Sequence, residues 1–547
     1  MRQIGAFLEA NYRALIDISD APKGCEEDYF RTRSLAAYAI KSFAEIPFDA
    51  SASAIVDGYG DNGIDALYYS SSERLLYLVQ SKWSTDGTGS ISVGDVQKYI
   101  QGFRDLINAR LDRFNVKVQT RKAEIDQALD DAKTRIVMIL VYTGTQPLSK
   151  EVNTILDDLK TEINDPTELL IVKPLRQVNL YSSIAHGAEA QPINVEVALQ
   201  SWGQVREPYQ AYYGQVSATE VAAWWRSHFP HVFAPNIRIY LGNTDVNEAI
   251  LETTASNPES FWYFNNGITA LCASITKKPL GGSGRDMGIF DCQDFRIVNG
   301  AQTVGSIAAA AEKHPKSIEQ AKVPIRIVSL AQAPESFGRS ITRTNNTQNR
   351  IDRRDFVALD GNQERIRSEL HLEGLSYVYK SGDVVPQGTS GFDLVEATVA
   401  LACAHADVSF AVLAKREIGK LWDDIEKAPY KALFNEGVSG PQLWRYVRIL
   451  RIIELQLDSG KADGGRARLT AVHGNRLIAH IVFQTLDEEI LHDPEELSVA
   501  QMFQIQRVTQ DAYQRAFDVL EARYPDSYPA SLFKNMTKSK DVVAAVL

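Results

Sequence analysis

The sequence predicts three successive regions: an α/β region over residues 1–200, an α+β region over 201–390 and a mostly α-helical region over 391–547. Three observations carry this expectation. A chain of 547 residues exceeds one ordinary hydrophobic core. Strand and helix patterns alternate through the first part, as in a sheet covered by helices. From about residue 392 the apolar residues recur at helical spacing, as in LWRYVRILRIIELQL.

The elements follow in order. MRQIGAFLEANYRALIDISD carries Glu9 within its apolar stretch and no small-residue cleavage site, so it reads as an amphipathic helix and not a signal peptide. Residues 27–46 read as a helix, and short strands are expected at 53–57, 64–69 and 75–83. Val96, Ile100, Phe103 and Ile107 are spaced by three and four, predicting a helix that runs to about Leu129. RIVMILVYTG is a buried-strand pattern ended by Gly144. A helix near 149–163 leads to ELLIVKP, a strand expected to stop at Pro174. The central region mixes an aromatic cluster (Tyr209, Tyr212, Tyr213, Trp224, Trp225) with β-like segments: NIRIYLGN, FWYFNNGITALCA, FRIVNGAQT and VPIRIVSL.

Composition excludes several classes. Hydrophobic residues make up 44% and charged residues 23%, which excludes a disordered chain. The net charge of −11 excludes nucleic-acid binding by the whole surface, so any such binding needs a local basic patch. Cys25, Cys272, Cys292 and Cys403 form no CxxC and are expected as reduced, buried thiols. The longest strongly apolar run, Ile136 to Tyr142, falls far short of the ~20 residues that cross a bilayer. A soluble cytoplasmic protein without membrane contact is expected.

One constellation lies in IVDGYGDNGIDALYYSSSERLLYLVQSKW. If Ser71 to Arg74 form the loop of a hairpin, Asp65 stands opposite Gln80, with Cβ atoms ~5 Å apart. Gln80 and Lys82 then share a face. Gly58, Gly60 and Gly63 allow close backbone approach. A carboxylate, an amide and an ammonium in one small area suit phosphodiester hydrolysis: Mg²⁺ takes hard oxygen ligands, and a lysine can orient water and stabilise charge at phosphorus. Glu26 and Glu27, at the start of EEDYFRTRSLAAYAI, are candidates for a further acid. A solvated hairpin rim is the alternative reading of the same residues.

GIDALYY…LYLVQSKW, with a Glu-bearing helix before it and a helix and strand after it, resembles the PD-(D/E)XK nuclease superfamily, in its Mrr-like, restriction-type branch. The resemblance implies a restriction-endonuclease-like fold for residues 1–200. It implies Asp65 as metal ligand, Gln80 and the Ser81 carbonyl as its companions, Lys82 as the residue that orients water, and Glu27 (less so Glu26) as the helix acid. Glutamine stands at position 80 where an acid is usual, which weakens metal binding. Mg²⁺ (or Mn²⁺) is the implied cofactor and DNA, rather than RNA, the implied substrate.

A second constellation is rich in amides. Asn265 and Asn266 precede Gly267; Asn299, Gln302 and Thr303 occur in IVNGAQTVGSI; Asn345 and Asn346 lie in ITRTNNTQNRIDRRDF. Asn-Gly pairs favour tight turns, but side-chain amides also read base edges or bind nucleotides. Residues 339–354 hold Arg339, Arg343, Arg350, Arg353 and Arg354 against the single acid Asp352. This basic strip suits phosphates, or forms a solvated helix face. LGNTDVNEAI, FWYFNNGIT, IVNGAQT and TNNTQNRIDRRDFVALD resemble the AIPR family of abortive-infection phage-resistance proteins, from about 232 to at least 385. The VNGAQT turn is also similar to the DGQHR and ParB-like group, with Asn299 and Thr303 where that group has Asp and Arg.

The resemblances imply an antiphage defence protein whose α/β region is a metal-dependent endonuclease and whose α+β AIPR-type domain and helical region control it. A homodimer is expected if both strands of a duplex are cut, together with a regulatory partner or phage trigger. Two alternatives remain: a non-catalytic sensor or scaffold with a degenerate nuclease fold, and a nuclease gated by a nucleotide bound in the central domain. Of the remaining features, His228 and His231, the GGSG turn at 281–284 and the leucine-rich helix at 443–457 are expected to be structural.

Overall fold

The structure is a computed structural model that describes residues 1–188, 193–228, 232, 250, 252–254, 256–279, 284–313, 315–334, 337–338, 340–342, 344, 357–380, 383–386, 389–460, 464–493 and 495–547. The chain packs into two compact units. The first joins Met1–Lys41, Ile46–Leu180 and Asp352–Leu547; the second holds Ser42–Glu45 and Tyr181–Ile351. The α/β region and the helical region, expected as separate bodies, therefore belong to one unit.

The first unit begins with α1 (Arg2–Tyr12) and α2 (Glu26–Ala44), followed by β1 (Ala66–Ser70) and β2 (Leu75–Lys82). Next come α3 (Val93–Ile107), α4 (Lys122–Asp130), β3 (Arg135–Tyr142), α5 (Lys150–Ile163) and β4 (Leu170–Leu175). The sheet has the order β1-β2-β3-β4, with β1 antiparallel to β2 and the other neighbours parallel. β3 is almost wholly buried, as expected of a parallel strand covered on both faces. Ser92 and Ser149 cap α3 and α5 by accepting the Asp95 and Val152 backbone N–H groups.

Three local expectations change. The helix expected from 96 to 129 is broken after Ile107: the Asn108 amide donates back to Arg104 O at 2.9 Å, and Ala109 takes φ +54°. The chain then turns so that Phe114 and Val118 also reach the core. β4 does not stop at Pro174, which pairs with Leu140. Proline is tolerated there because β4 is an edge strand. The expected strand at 53–57 is reduced to a single bridge, Ile55 to Ala66.

The second unit contains β5 (Val195–Val205), β6 (Ala211–Ser217), α6 (Ala218–His228) and the one-turn helix α7 (Phe261–Phe264). It continues through β7 (Ile268–Cys272), β8 (Ser274–Lys277), β9 (Met287–Gln293), β10 (Arg296–Asn299), α8 (Ala301–Lys313) and β11 (Lys322–Ser329). The sheet order is β10-β7-β11-β6-β5-β9-β8. Its core takes Val221 and Trp224 from α6 and Val304 and Ile307 from α8. FWYF, read as β-like, is helical, while NIRIYLGN lies outside the described residues. Cys272 and Cys292 are buried strand residues, Cys403 is buried in a helix, and Cys25 is exposed, contrary to expectation.

The chain then returns to the first unit with α9 (Gly361–Leu372), the short pair β12 (Ser376–Val378) and β13 (Gly391–Asp393), and α10 (Leu394–Ala404). The long helices α11 (Gly440–Gly460), α12 (Gly465–Thr485) and α13 (Val499–Arg523) follow, then α14 (Met536–Val546). α11 buries Leu443, Val447, Leu450, Ile453 and Leu457, so its leucine-rich face is core. Leu469 of α12, Tyr528 and Ala530 enter the core beneath the four-stranded sheet. Arg468, nearly buried, reaches Asp126 at 2.7 Å and pairs with Asp130, both on α4. His473 meets Leu129 O at 2.8 Å, and burial holds its imidazole well below the usual value, hence neutral. No helix among the described residues is long and apolar enough to cross a membrane.

Candidate metal centre and amide-rich turn

The hairpin β1–β2 has its loop at 71–74, and Ala66 pairs with Val79. The paired register ends there; Asp65, the residue before the strand, donates its N–H to Val79 O at 2.8 Å. Asp65 Oδ2 accepts the Ser81 backbone N–H at 2.6 Å. The Ser81 hydroxyl donates to Thr32 O at 2.8 Å, which ties β2 to α2.

Asp65 is not the only carboxylate there. Asp57, Asp61 and Asp65 each offer an oxygen, and these oxygens lie within 4.8 Å of one another. The loop that gathers them is pressed onto α3. A Cβ at Gly63, which has φ +81°, would lie 2.9 Å from Tyr99 N, and one at Gly102 would lie 2.0 Å from Asn62 O. Only glycine fits such approaches. Asp61 accepts the Gly63 N–H at 2.8 Å and pairs with Lys98 at 2.9 Å. Asp57 pairs with Arg33 at 2.7 Å, and the fully buried Arg33 also holds Asp20 at 2.6 Å.

Burial pushes the Asp65 carboxyl up to about 8, with the Asp57 charge adding to it; the Ser81 N–H opposes the shift, and Asp61 reinforces it. Burial also raises Asp57, against the pull of Arg33. Three acids thus share a space in which two cations, Arg33 and Lys98, pair with only two of them. A third positive charge would relieve this repulsion.

Gln80 is almost wholly buried. Its Nε2 donates to Asp95 O at 3.0 Å, while Oε1 is buried without a hydrogen-bond partner. Three carboxylate oxygens within 4.8 Å of one another are a donor set of the kind a hard divalent cation takes. The residues therefore fit a divalent cation such as Mg²⁺ or Mn²⁺, which Asp65, Asp57 and Asp61 would hold. Lys82, 45% exposed, turns its Nζ to Asp95 Oδ1 at 2.8 Å. Asp95 is also bound by the Ser92 hydroxyl at 2.6 Å. Burial opposes ionisation of Asp95, but Lys82 and Ser92 outweigh it and hold the carboxyl below its usual range.

Glu27 stands apart. It pairs with Arg13 at 2.7 Å and Arg31 at 2.8 Å, and is absent from the group of three acids. Its neighbour Glu26 accepts the Gly24 backbone N–H at 2.8 Å. The helix contributes Arg33 to the site instead. Asp57, Asp61, Lys98, Arg33 and Asp95 were missed by the reading of the sequence. The signal for two of them was present: DGYGDNGID repeats an acid every fourth residue, while its glycines prevent a helix and let the loop fold the acids together.

In the second unit, the amides gather at one turn. Thr303 Oγ1 donates to Asn266 O at 3.3 Å, and Asn299 Oδ1 accepts the Gly300 N–H at 2.7 Å. Gly300 has φ +93°, and a Cβ there would lie 2.9 Å from Gly267 O. Asn265 Nδ2 donates to Phe261 O at 3.3 Å, and Gln302 lies in the first turn of α8. Asn265, Asn266, Asn299, Gln302 and Thr303 therefore belong to adjoining segments. Arg343, Asn345, Asn346, Arg350 and Arg353 lie outside the described residues.

Residues 233–389 match the family model described as AIPR protein. No curated protein and no solved structure matches the chain. The match covers the segment whose motifs resemble that family; it does not reach the hairpin that carries Asp65.

Proposed function

We propose that the first unit is a Mg²⁺- or Mn²⁺-dependent nuclease that hydrolyses nucleic-acid phosphodiester bonds, with DNA as the expected substrate, and that it serves antiphage defence of the abortive-infection type. The observation that carries the hydrolytic reading is the convergence of Asp57, Asp61 and Asp65, whose oxygens lie within 4.8 Å of one another. The defence reading rests on the AIPR match of residues 233–389.

In this reading Asp65, Asp57 and Asp61 hold the cation, with Gln80 Oε1 and the Ser81 carbonyl as further oxygens. The bound cation would polarise the phosphate and acidify water near it. Lys82 and Lys98 supply positive charge at the rim of the cluster, where non-bridging phosphate oxygens would lie. Asp95 directs the Lys82 ammonium through their ion pair at 2.8 Å. Arg33 is buried beneath the cluster, so its task is to hold the Asp57 loop and not to meet substrate. Glu27 would act only after leaving Arg13 and Arg31. One such centre cuts one strand, so cleavage of a duplex calls for two copies.

A second reading is a non-catalytic sensor. It is favoured by the ion pairs that occupy Glu27 and Lys82. The test compares wild type, Asp65→Ala and Lys82→Ala on plasmid, linear duplex, single-stranded DNA and RNA, with Mg²⁺, Mn²⁺ or EDTA. Cleavage that survives EDTA, or that both variants retain in full, removes the metal-nuclease reading. If no form cuts, phage challenge decides: full protection by Asp65→Ala favours the sensor.

A further inference from the structure

α7 is a single turn with one anchor. Phe261 is fully buried in the core of the second unit, whereas Trp262, Tyr263 and Phe264 are 43%, 77% and 68% exposed. Singly exposed apolar residues are ordinary, but three consecutive aromatic rings in water form a patch that calls for an occupant. The rings of Trp262 and Tyr263 meet edge to face, with centroids 5.3 Å apart and planes at 79°, and both remain exposed.

The surroundings are polar and carry two cations. Asn265 and Asn266 follow the rings directly, and the chain then lies on β11: a Cβ at Gly267 would come 2.3 Å from Pro324 O. In β11 the residues Val323, Ile325 and Ile327 are buried, and Lys322, Pro324 and Arg326 alternate with them on the outer face. Lys322 and Arg326 thus flank Pro324, where Gly267 meets the strand. Arg326 donates to Thr269 Oγ1 at 3.1 Å. Glu259, in the 3-10 turn Pro258–Ser260, is the acid closest in sequence to the rings.

We propose that Trp262, Tyr263 and Phe264, with Asn265 and Asn266, form a stacking platform for the bases of a single-stranded nucleic acid. Open aromatic faces accept any base, amides meet base edges, and the Lys322 and Arg326 charges complement phosphates. A duplex keeps its base faces stacked internally and cannot use the rings. The platform does not rest on the metal centre, and its failure would leave the hydrolytic reading untouched.

The test uses the full chain carrying Asp65→Ala, in EDTA, so that hydrolysis plays no part. Fluorescence anisotropy measures binding of labelled dT20, U20 and a blunt 20-base-pair duplex. Tyr263→Ala/Phe264→Ala should raise the Kd for the single strands at least tenfold and leave duplex binding within twofold. The ring-keeping pair Tyr263→Phe/Phe264→Tyr should bind like the parent, which separates loss of rings from loss of fold. The proposal is overturned if the parent binds neither single strand at micromolar concentration, as a protein-docking patch would behave. It is also overturned if the alanine pair binds single strands as tightly as the parent, or if the ring-keeping pair loses binding equally.

Discussion

The Lys82 ammonium lies 2.8 Å from the Asp95 carboxylate, so the first turn of α3 fixes the charge that the hydrolytic reading places near phosphate. Lys82→Ala is expected to lower cleavage by about 10²–10³-fold, the scale of losing one electrostatic contact to the transition state. Asp95→Ala leaves the ammonium present but unanchored, and is expected to cost about tenfold in kcat with KM little changed. Single-turnover cleavage rates check both. Equal losses in the two variants would mean that Asp95 does more than direct Lys82.

In the hydrolytic reading, metal and pH act on the same group. The Asp65 carboxyl is pushed up to about 8 by burial and by Asp57, against about 3.9 in an unfolded chain. A raised value means that its contribution to stability is fully present below about pH 4 and is lost as pH rises through about 8. In EDTA, Asp65→Asn should therefore gain stability over wild type as pH rises from about 5 to 9. Mg²⁺ or Mn²⁺ at pH 8 should raise the Tm of wild type and leave the variant unmoved. Thermal melts with and without the ion test this, and an ion effect of equal size in the variant would remove Asp65 from the ligand set.

Glu220 gives the second unit a pH dependence of its own. On α6 it accepts the Ala198 N–H at 3.1 Å, and burial pushes its carboxyl up to about 7. The sign is again that of a raised acid: stability is present below about pH 4.5 and lost through about 7. Glu220→Gln keeps an acceptor and removes the charge. It should stabilise by about 1–2 kcal/mol at pH 8 and change little at pH 4.5. Denaturant melts at the two values check it; equal stability at pH 8 would mean that the carboxylate is solvated there.

The union of the two chain ends is testable by breaking it. Arg468→Ala leaves Asp126 and Asp130 without their shared partner and should cost the first unit about 2 kcal/mol or more. Residues 1–190 expressed alone lack Leu469, Tyr528 and Ala530 from the core beneath the sheet. That fragment should expose apolar surface and aggregate, as read by dye binding and sedimentation. A stable, folded fragment would show that the helical region only rests on a self-sufficient domain.

Much of the hairpin was legible because its information is local. Two strand patterns flanking a four-residue loop suffice to set the register from Ala66↔Val79 to Ser70↔Leu75, which brings Asp65 to the Gln80 end of β2. The pattern Val96, Ile100, Phe103 and Ile107 located α3 for the same reason, but not its end, which Asn108 and Ala109 impose while the following chain turns to the core. The helix acid was not legible: Glu27 and Arg33 are six residues apart on α2, and periodicity does not say that the arginine faces the Asp57 loop while the glutamate meets Arg13.

By itself the sequence determined the hairpin β1–β2, the buried strand β3, the place of α3 and the amide-rich centre that matches AIPR. Each of these is written in residues close together in the chain. Tertiary structure alone decided that Asp57 and Asp61 close on Asp65, that Gln80 keeps one oxygen orphaned, and that Arg468 and Leu469 complete a unit begun more than 300 residues earlier. Such outcomes depend on which apolar faces meet and which buried charges find partners, and these are decided by packing across the whole chain.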